Sequence, residues 1–129
     1  MFDAGDCYWA TINRHWYFII SDPRQNPSQI VQVNTTTLIP DAGSHDPYND
    51  RSCILYAGEH PTITHTSCIY YWGTQIGSIN DLARRLERHE IKPGDPASPE
   101  MLEKMRQGAL ITEHIIPLAA DILIEQGLV

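Results

Sequence analysis

The apolar residues of this chain change their period at Gly73, and that change limits the fold more than any other feature. Through Trp72 they come in five short β-prone runs: Cys7–Ile12, His15–Ser21, Gln29–Thr37, Ser52–Tyr56 and Thr62–Trp72. Turn-forming residues separate them, as Asn13-Arg14 and Asp22-Pro23 do, and a Pro, Gly, Asp, Asn and Ser-rich stretch from Leu38 to Arg51 reads as a long loop. The run after His15 is apolar on both faces, which predicts a central strand covered on both sides. From Ser78 onward the pattern is helical. Ser78 caps a helix with Ile79, Leu82, Ala83 and Leu86 on one face, and Ser98-Pro99-Glu100 opens a second that Gly108 should stop. Pro117 places the start of a third near Ile116, ending before Gly127. Five short strands followed by helices predict a mainly β, α+β chain. We expect one domain over residues 1–129, in which a small antiparallel β-barrel or sandwich (1–76) carries about three helices (77–129).

The 129 residues suit a single core, and 42% apolar with 19% charged residues excludes global disorder. No stretch approaches the roughly 18 apolar residues of a membrane span. Met1 to Asp6 lacks the basic start and apolar run of a secretory leader, so a cytoplasmic protein with no membrane contact is expected. Cys7, Cys53 and Cys68 are odd in number and lack C-x-x-C spacing, which predicts reduced, half-buried thiols. The net charge of −7 opposes long-range attraction to nucleic acid. The excess of carboxylates runs through both halves of the chain. Contact with nucleic acid must therefore be short-range and sparse, or use protonated histidines or a second subunit.

The stretch Gly58–Trp72 is unusual for a strand that only packs. His60, His65, Thr62, Thr64, Thr66 and Ser67 lie within eight residues of one another. Buried hydroxyls and imidazoles need hydrogen-bond partners, so Val and Ile would pack there more cheaply. Pro61 starts the strand proper at Thr62, with His60 at its mouth and His65 within it. Asn34, Thr35 and Thr36 form a second hydroxyl-rich strand end. The structural alternative makes His60 a cap on the turn before Pro61 and pairs His65 with a neighbouring threonine. A metal site is a weaker rival: His60 and His65 could join His15, His45, Asp46 or Asp50, but no ligand spacing is diagnostic. His89 and His114 read as surface or capping residues. Trp9, Trp16, Tyr17, Tyr70, Tyr71 and Trp72 could stack bases, although core packing should claim most of them. The Met101, Leu102 and Met105 face reads as packing on the sheet rather than as a docking surface.

In order and spacing, Gly5-Asp6-Cys7-Tyr8-Trp9, Trp16-Tyr17-Phe18-Ile19-Ile20-Ser21, Val31-Gln32-Val33-Asn34-Thr35-Thr36 and Ser67-Cys68-Ile69-Tyr70 resemble the MazF/PemK-like toxins of type II toxin–antitoxin systems. The similarity spans residues 5 to about 76. It implies an SH3-like barrel, a homodimer, and a metal-independent endoribonuclease that needs no cofactor and is neutralised by an antitoxin protein. Arg14 takes the place of the family's arginine after the first strand. Tyr70, Tyr71 and Trp72 stand where members carry an Arg-x-Asp-like pair, and the block from Gly58 to Ser67 looks like that of a divergent branch.

Metal-free RNA cleavage needs a base for the ribose 2′-hydroxyl, an acid for the leaving oxygen, and donors for the charge building on phosphorus. Imidazole, with an ordinary pKa of ~6.5, suits both proton transfers. The expectation is that His60 and His65 exchange protons, with Arg51 and Ser67 completing the catalytic set. Arg14, Ser21, Thr35, Thr36 and Tyr70 are expected to bind single-stranded RNA. The competing expectation is a non-catalytic protein-binding or regulatory module that uses its acidic surface.

Overall fold

Alternation along a strand sends successive side chains to opposite faces of a sheet, so a strand apolar at every position needs cover on both sides. The computed structural model supplies that cover. It describes residues 2–43 and 45–129. Met1, at the head of the stretch read for a leader, and Ser44, inside the 38–51 loop, lie outside the described residues. Six strands form one sheet: β1 (Cys7–Ala10), β2 (His15–Ile19), β3 (Ile30–Thr37), β4 (Ile54–Leu55), β5 (Ser67–Gly77) and β6 (Ile91–Pro93). Three helices follow or interrupt it: α1 (Ile79–Glu87), α2 (Pro99–Ile111) and α3 (Pro117–Glu125). The strand order is β4-β5-β3-β2-β1-β6, with every pair antiparallel. The fold is mainly β within the α+β class. Among the described residues no pairing joins β4 to β6, so the sheet is open where a closed barrel was expected.

Register explains the two cores. Cys7 lies opposite Phe18 and Phe18 opposite Val33, and this row faces α2 and α3 through Met101, Met105, Ala109, Ile122 and Leu123. The adjacent row, Tyr8 opposite Tyr17 opposite Asn34, points the other way, where Ile19, Ile30, Leu82 of α1 and Ile91 close a smaller core. Burying each Ile, Leu, Phe or Met fully contributes about 1.5–3 kcal/mol, which is why three short helices suffice to hold the sheet.

Four elements differ from the sequence reading. The expected Thr62–Trp72 strand is displaced: Thr62 to Thr66 form turns and bends, and β5 runs from Ser67 to Gly77. The Ile63 amide turns back to the His60 carbonyl at 2.9 Å, and the hydroxyls of this segment bond locally instead of joining a ladder. The Ser52–Tyr56 run contributes only Ile54–Leu55. β6, read as part of a loop, pairs with β1 and so belongs to the sheet although it lies after residue 76; at an edge, Pro93 is tolerated. Gly108 does not stop α2. A β-carbon there would lie 2.8 Å from Cys53 Cβ and would overlap the Tyr71 hydroxyl, which donates to the Met105 carbonyl at 2.6 Å. The glycine exists for close packing of α2 on β5. The capping predictions agree with the structure: Ser78 accepts from the Asp81 amide and Ser98 from the Met101 amide, each at 3.1 Å.

β5 carries one further irregularity. Val31 pairs with Ile76 and Gln32 with Gln75, yet Asn34 pairs with Tyr70. Val33 alone therefore faces the four residues Tyr71 to Thr74, an extended bulge closed by the Thr74 hydroxyl on the Tyr71 carbonyl at 2.6 Å.

Candidate functional site

The face that α2 and α3 cover runs out of apolar residues toward one end. Two residues beyond the Cys7–Phe18 pair, Trp9 lies opposite Trp16, and β3 continues with Thr35 and Thr37 where it had Val31 and Val33. A cleft of about 230 Å³ opens there, lined by Trp9, Arg14, His15, Trp16, Thr35, Thr36, Thr37, Thr62, His65 and Ser67. Not one of these lining residues is a carboxylate, although the chain as a whole carries −7. Arg14 ends the β1–β2 turn at a φ of 59°, with its amide on the Ala10 carbonyl at 2.8 Å. That left-handed backbone costs a non-glycine residue about 1–2 kcal/mol, and here it projects a cation at the mouth of the cleft.

His65 is exposed and held at both nitrogens, Nε2 by the Thr37 hydroxyl at 2.8 Å and Nδ1 by the Thr64 hydroxyl at 3.2 Å. Ser67, opposite Thr37 across the β3–β5 pair, donates its hydroxyl to the His65 carbonyl at 2.9 Å. Both contacts of the ring face solvent, so water or another incoming hydroxyl can replace either. His15, at the start of β2, brings a second exposed imidazole to the same cleft.

His60 does not share it. Its residue is 4% exposed, and its ring stands edge-on to Phe18 with centroids 5.1 Å apart. Nε2 lies 2.7 Å from the Asp95 carbonyl, which can only accept, so Nε2 carries the proton. Nδ1 then accepts from the Thr62 amide at 3.2 Å and the Thr62 hydroxyl at 2.8 Å. With both nitrogens engaged inside the protein, His60 is a strut that ties the 58–66 loop to the 94–97 segment. The pairing of His60 and His65 as acid and base is corrected accordingly.

Three other expected site residues also lie elsewhere. Ser21 is fully buried and its hydroxyl accepts from the Val31 amide at 2.8 Å, which fixes the end of β2 on β3. Arg51 donates to the Pro40 carbonyl at 2.8 Å and lines a different cleft of about 320 Å³, with His45, Asp50 and Glu113. The two carboxylates there disfavour a phosphate. Tyr70 stacks on Tyr48 with ring centroids 4.8 Å apart; burial first, then Tyr48, push its phenol up to about 12. Arg14, Thr35, Thr36, His65 and Ser67 are the expected residues that the fold brings together.

His15, Trp9, Trp16, Thr37 and Thr62 complete the cleft. The signal for the two indoles and His15 was the hairpin itself: a tight β1–β2 turn followed by antiparallel return on β3 sets residues 9, 16 and 35 side by side. Among the described residues no group of three or more His, Cys, Asp or Glu side chains is placed to hold a metal ion. The thiols are poor nucleophiles. Burial, then Asp95 and Asp6, push Cys7 up to about 12, and burial with Asp50 pushes Cys68 up to about 11. Among the described residues no helix is long and apolar enough to cross a membrane. No protein-family model matches the sequence, and no curated protein matches it.

Proposed function

We propose that this chain is a metal-independent endoribonuclease that cuts single-stranded RNA in the Arg14–His65 cleft, the toxin of a toxin–antitoxin pair acting in the cytoplasm. The observation that carries this reading is the composition of the cleft: on an acidic protein, one carboxylate-free depression gathers a guanidinium, two imidazoles and a row of hydroxyls. Arg14 binds the scissile phosphate and offsets the charge that builds on its oxygens. One imidazole of the His15 and His65 pair takes the proton from the ribose 2′-hydroxyl as that oxygen attacks phosphorus. The other gives a proton to the departing 5′-oxygen, so the products are a 2′,3′-cyclic phosphate and a 5′-hydroxyl. Thr37 orients the His65 ring, and Thr35 and Ser67 offer hydroxyls to phosphate and sugar. A homodimer and a protein antitoxin are the partners this reading brings with it.

The test is incubation of the purified protein with end-labelled single-stranded RNA in EDTA. Wild type should release fragments ending in cyclic phosphate, and RNA with 2′-deoxyribose throughout should stay intact. His65→Ala and Arg14→Ala should each slow cleavage by about 100-fold or more. Binding without cleavage would transfer the support to the non-catalytic module. Full activity in the His65 variant would end the proton-transfer assignment.

A further inference from the structure

The Trp9–Trp16 pair is more than the wall of the cleft. Tyr8, Tyr17 and Tyr71 are buried in the two cores, but these indoles are only half-buried. Their rings lie 5.3 Å apart at 58°, a tilt in which neither ring fully covers the other. A second depression of about 400 Å³ is lined by the same Trp9 and Trp16 together with Lys92 and Pro93, and it too has no carboxylate. The register puts these groups in one line. Lys92 lies opposite Trp9, Trp9 opposite Trp16, and Trp16 is one residue past the Tyr17–Asn34 pair just as Thr35 is. Residues opposite one another share a face, so Lys92, Trp9, Trp16 and Thr35 form a cross-strand row spanning three gaps of about 4.8 Å, roughly 14 Å in all. Gly94 braces the row from beneath: a β-carbon there would lie 2.7 Å from Trp16 Cζ3, so backbone fixes the position of that indole.

We infer that this row is a nucleotide subsite, in which the unpaired base next to the cleaved linkage stacks on the indoles of Trp9 and Trp16 and the following phosphate is met by Lys92. The inference rests on the cleft being where RNA binds, and it adds what the cleft alone does not give. An indole platform accepts any base through its π-face, so it supplies affinity with little sequence preference, and one lysine supplies one further phosphate contact. A substrate must then extend at least one nucleotide beyond the cut toward β6. Trp72, 63% exposed beside His114 at a 6.1 Å centroid separation, lines neither depression.

The experiment uses the Trp72→Phe protein, whose indole emission, excited at the red edge where tyrosine does not absorb, comes from Trp9 and Trp16 alone, titrated with a 2′-O-methyl tetranucleotide that cannot be cleaved. The oligonucleotide should quench the indole emission. A version lacking one base at the position beside the central linkage should bind about 10-fold more weakly, and in Trp9→Ala the intact and abasic ligands should bind alike. Lys92→Ala should weaken both ligands equally and lower the salt slope by about one. Since the abasic comparison needs no substitution in the row, a poorly folded Trp9 variant does not spoil it. If the tetranucleotide binds with dependence on Arg14 but the missing base makes no difference, the subsite is wrong and the cleft stands. If no oligonucleotide binds, both readings fall together.

Discussion

Replacing His60 by alanine separates structural from chemical roles for the two histidines of the Gly58–Trp72 stretch. The substitution removes the Nε2 bond to the Asp95 carbonyl and the Nδ1 bond from Thr62, and it deletes a ring packed edge-on to Phe18. Counting one hydrogen bond for each ring nitrogen at about 1 kcal/mol, with about 1 kcal/mol for the aromatic contact, the loss is roughly 3 kcal/mol. For 129 residues the unfolding entropy at the midpoint is about 0.27 kcal/mol/K, so Tm should fall by about 10 °C. Thermal melts followed by circular dichroism read this directly. Cleavage of RNA at 20 °C, where the variant remains folded, should drop by less than tenfold. His65→Ala should do the opposite, leaving Tm within about 2 °C of wild type, because its ring is exposed and its two partners are hydroxyls that water can satisfy. A His60 variant that melts like wild type but has lost cleavage would refute the strut and restore His60 to the chemistry.

Three further outcomes follow from particular contacts. Gly108→Ala should destabilise by about 2–4 kcal/mol in chemical denaturation despite alanine's better helix propensity, since the added methyl meets Cys53, the Ser52 carbonyl and the Tyr71 hydroxyl. Arg14→Gly should raise Tm by about 3 °C by relieving a positive φ of 59°, and yet abolish RNA binding in a filter assay. Glu59 is desolvated in the direction that raises its pKa, but the Tyr56 amide and the Lys104 ammonium at 2.9 Å outweigh this and hold it below the usual carboxylate value. Its contribution, no more than about 1 kcal/mol for an exposed pair, is therefore present above the usual ~4.3 and lost as pH falls through the lowered value. Urea midpoints of wild type and Glu59→Gln should differ at pH 7 and converge as pH falls through the lowered value.

The strand-then-helix order was legible because residues 15–21 form a short continuous apolar run and residues 79–86 carry a helical period, both of them local signals. Ser78 and Ser98 were legible for the same reason: a cap depends on three neighbouring residues. Where the reading failed, the cause was non-local. His60 and His65 are five residues apart and look alike in sequence, but only His60 meets Asp95, which is 35 residues downstream. Arg14 and Arg51 were interchangeable as phosphate ligands until the fold put Asp50 and Glu113 beside one of them. Ile91-Lys92-Pro93 is too short to announce itself, and it becomes a strand only because β1 offers an unpaired edge.

The bulge in β5 has a consequence for how this chain can change in length. Before it, odd-numbered residues such as Ile69 and Tyr71 point toward α2 and α3; after it the even-numbered Ile76 does. The three surplus residues thus act as a phase shifter that resets inside and outside between the two halves of one strand. Pairing with β3 sets the faces of Gln75 and Ile76, whatever the residue count inside the bulge, so a residue lost between Tyr71 and Thr74 should reshape the bulge and leave every later side chain on its present face. Length changes in this strand should therefore be tolerated inside the bulge and penalised in the paired segments on either side of it, where one residue lost would turn its neighbours to the opposite face.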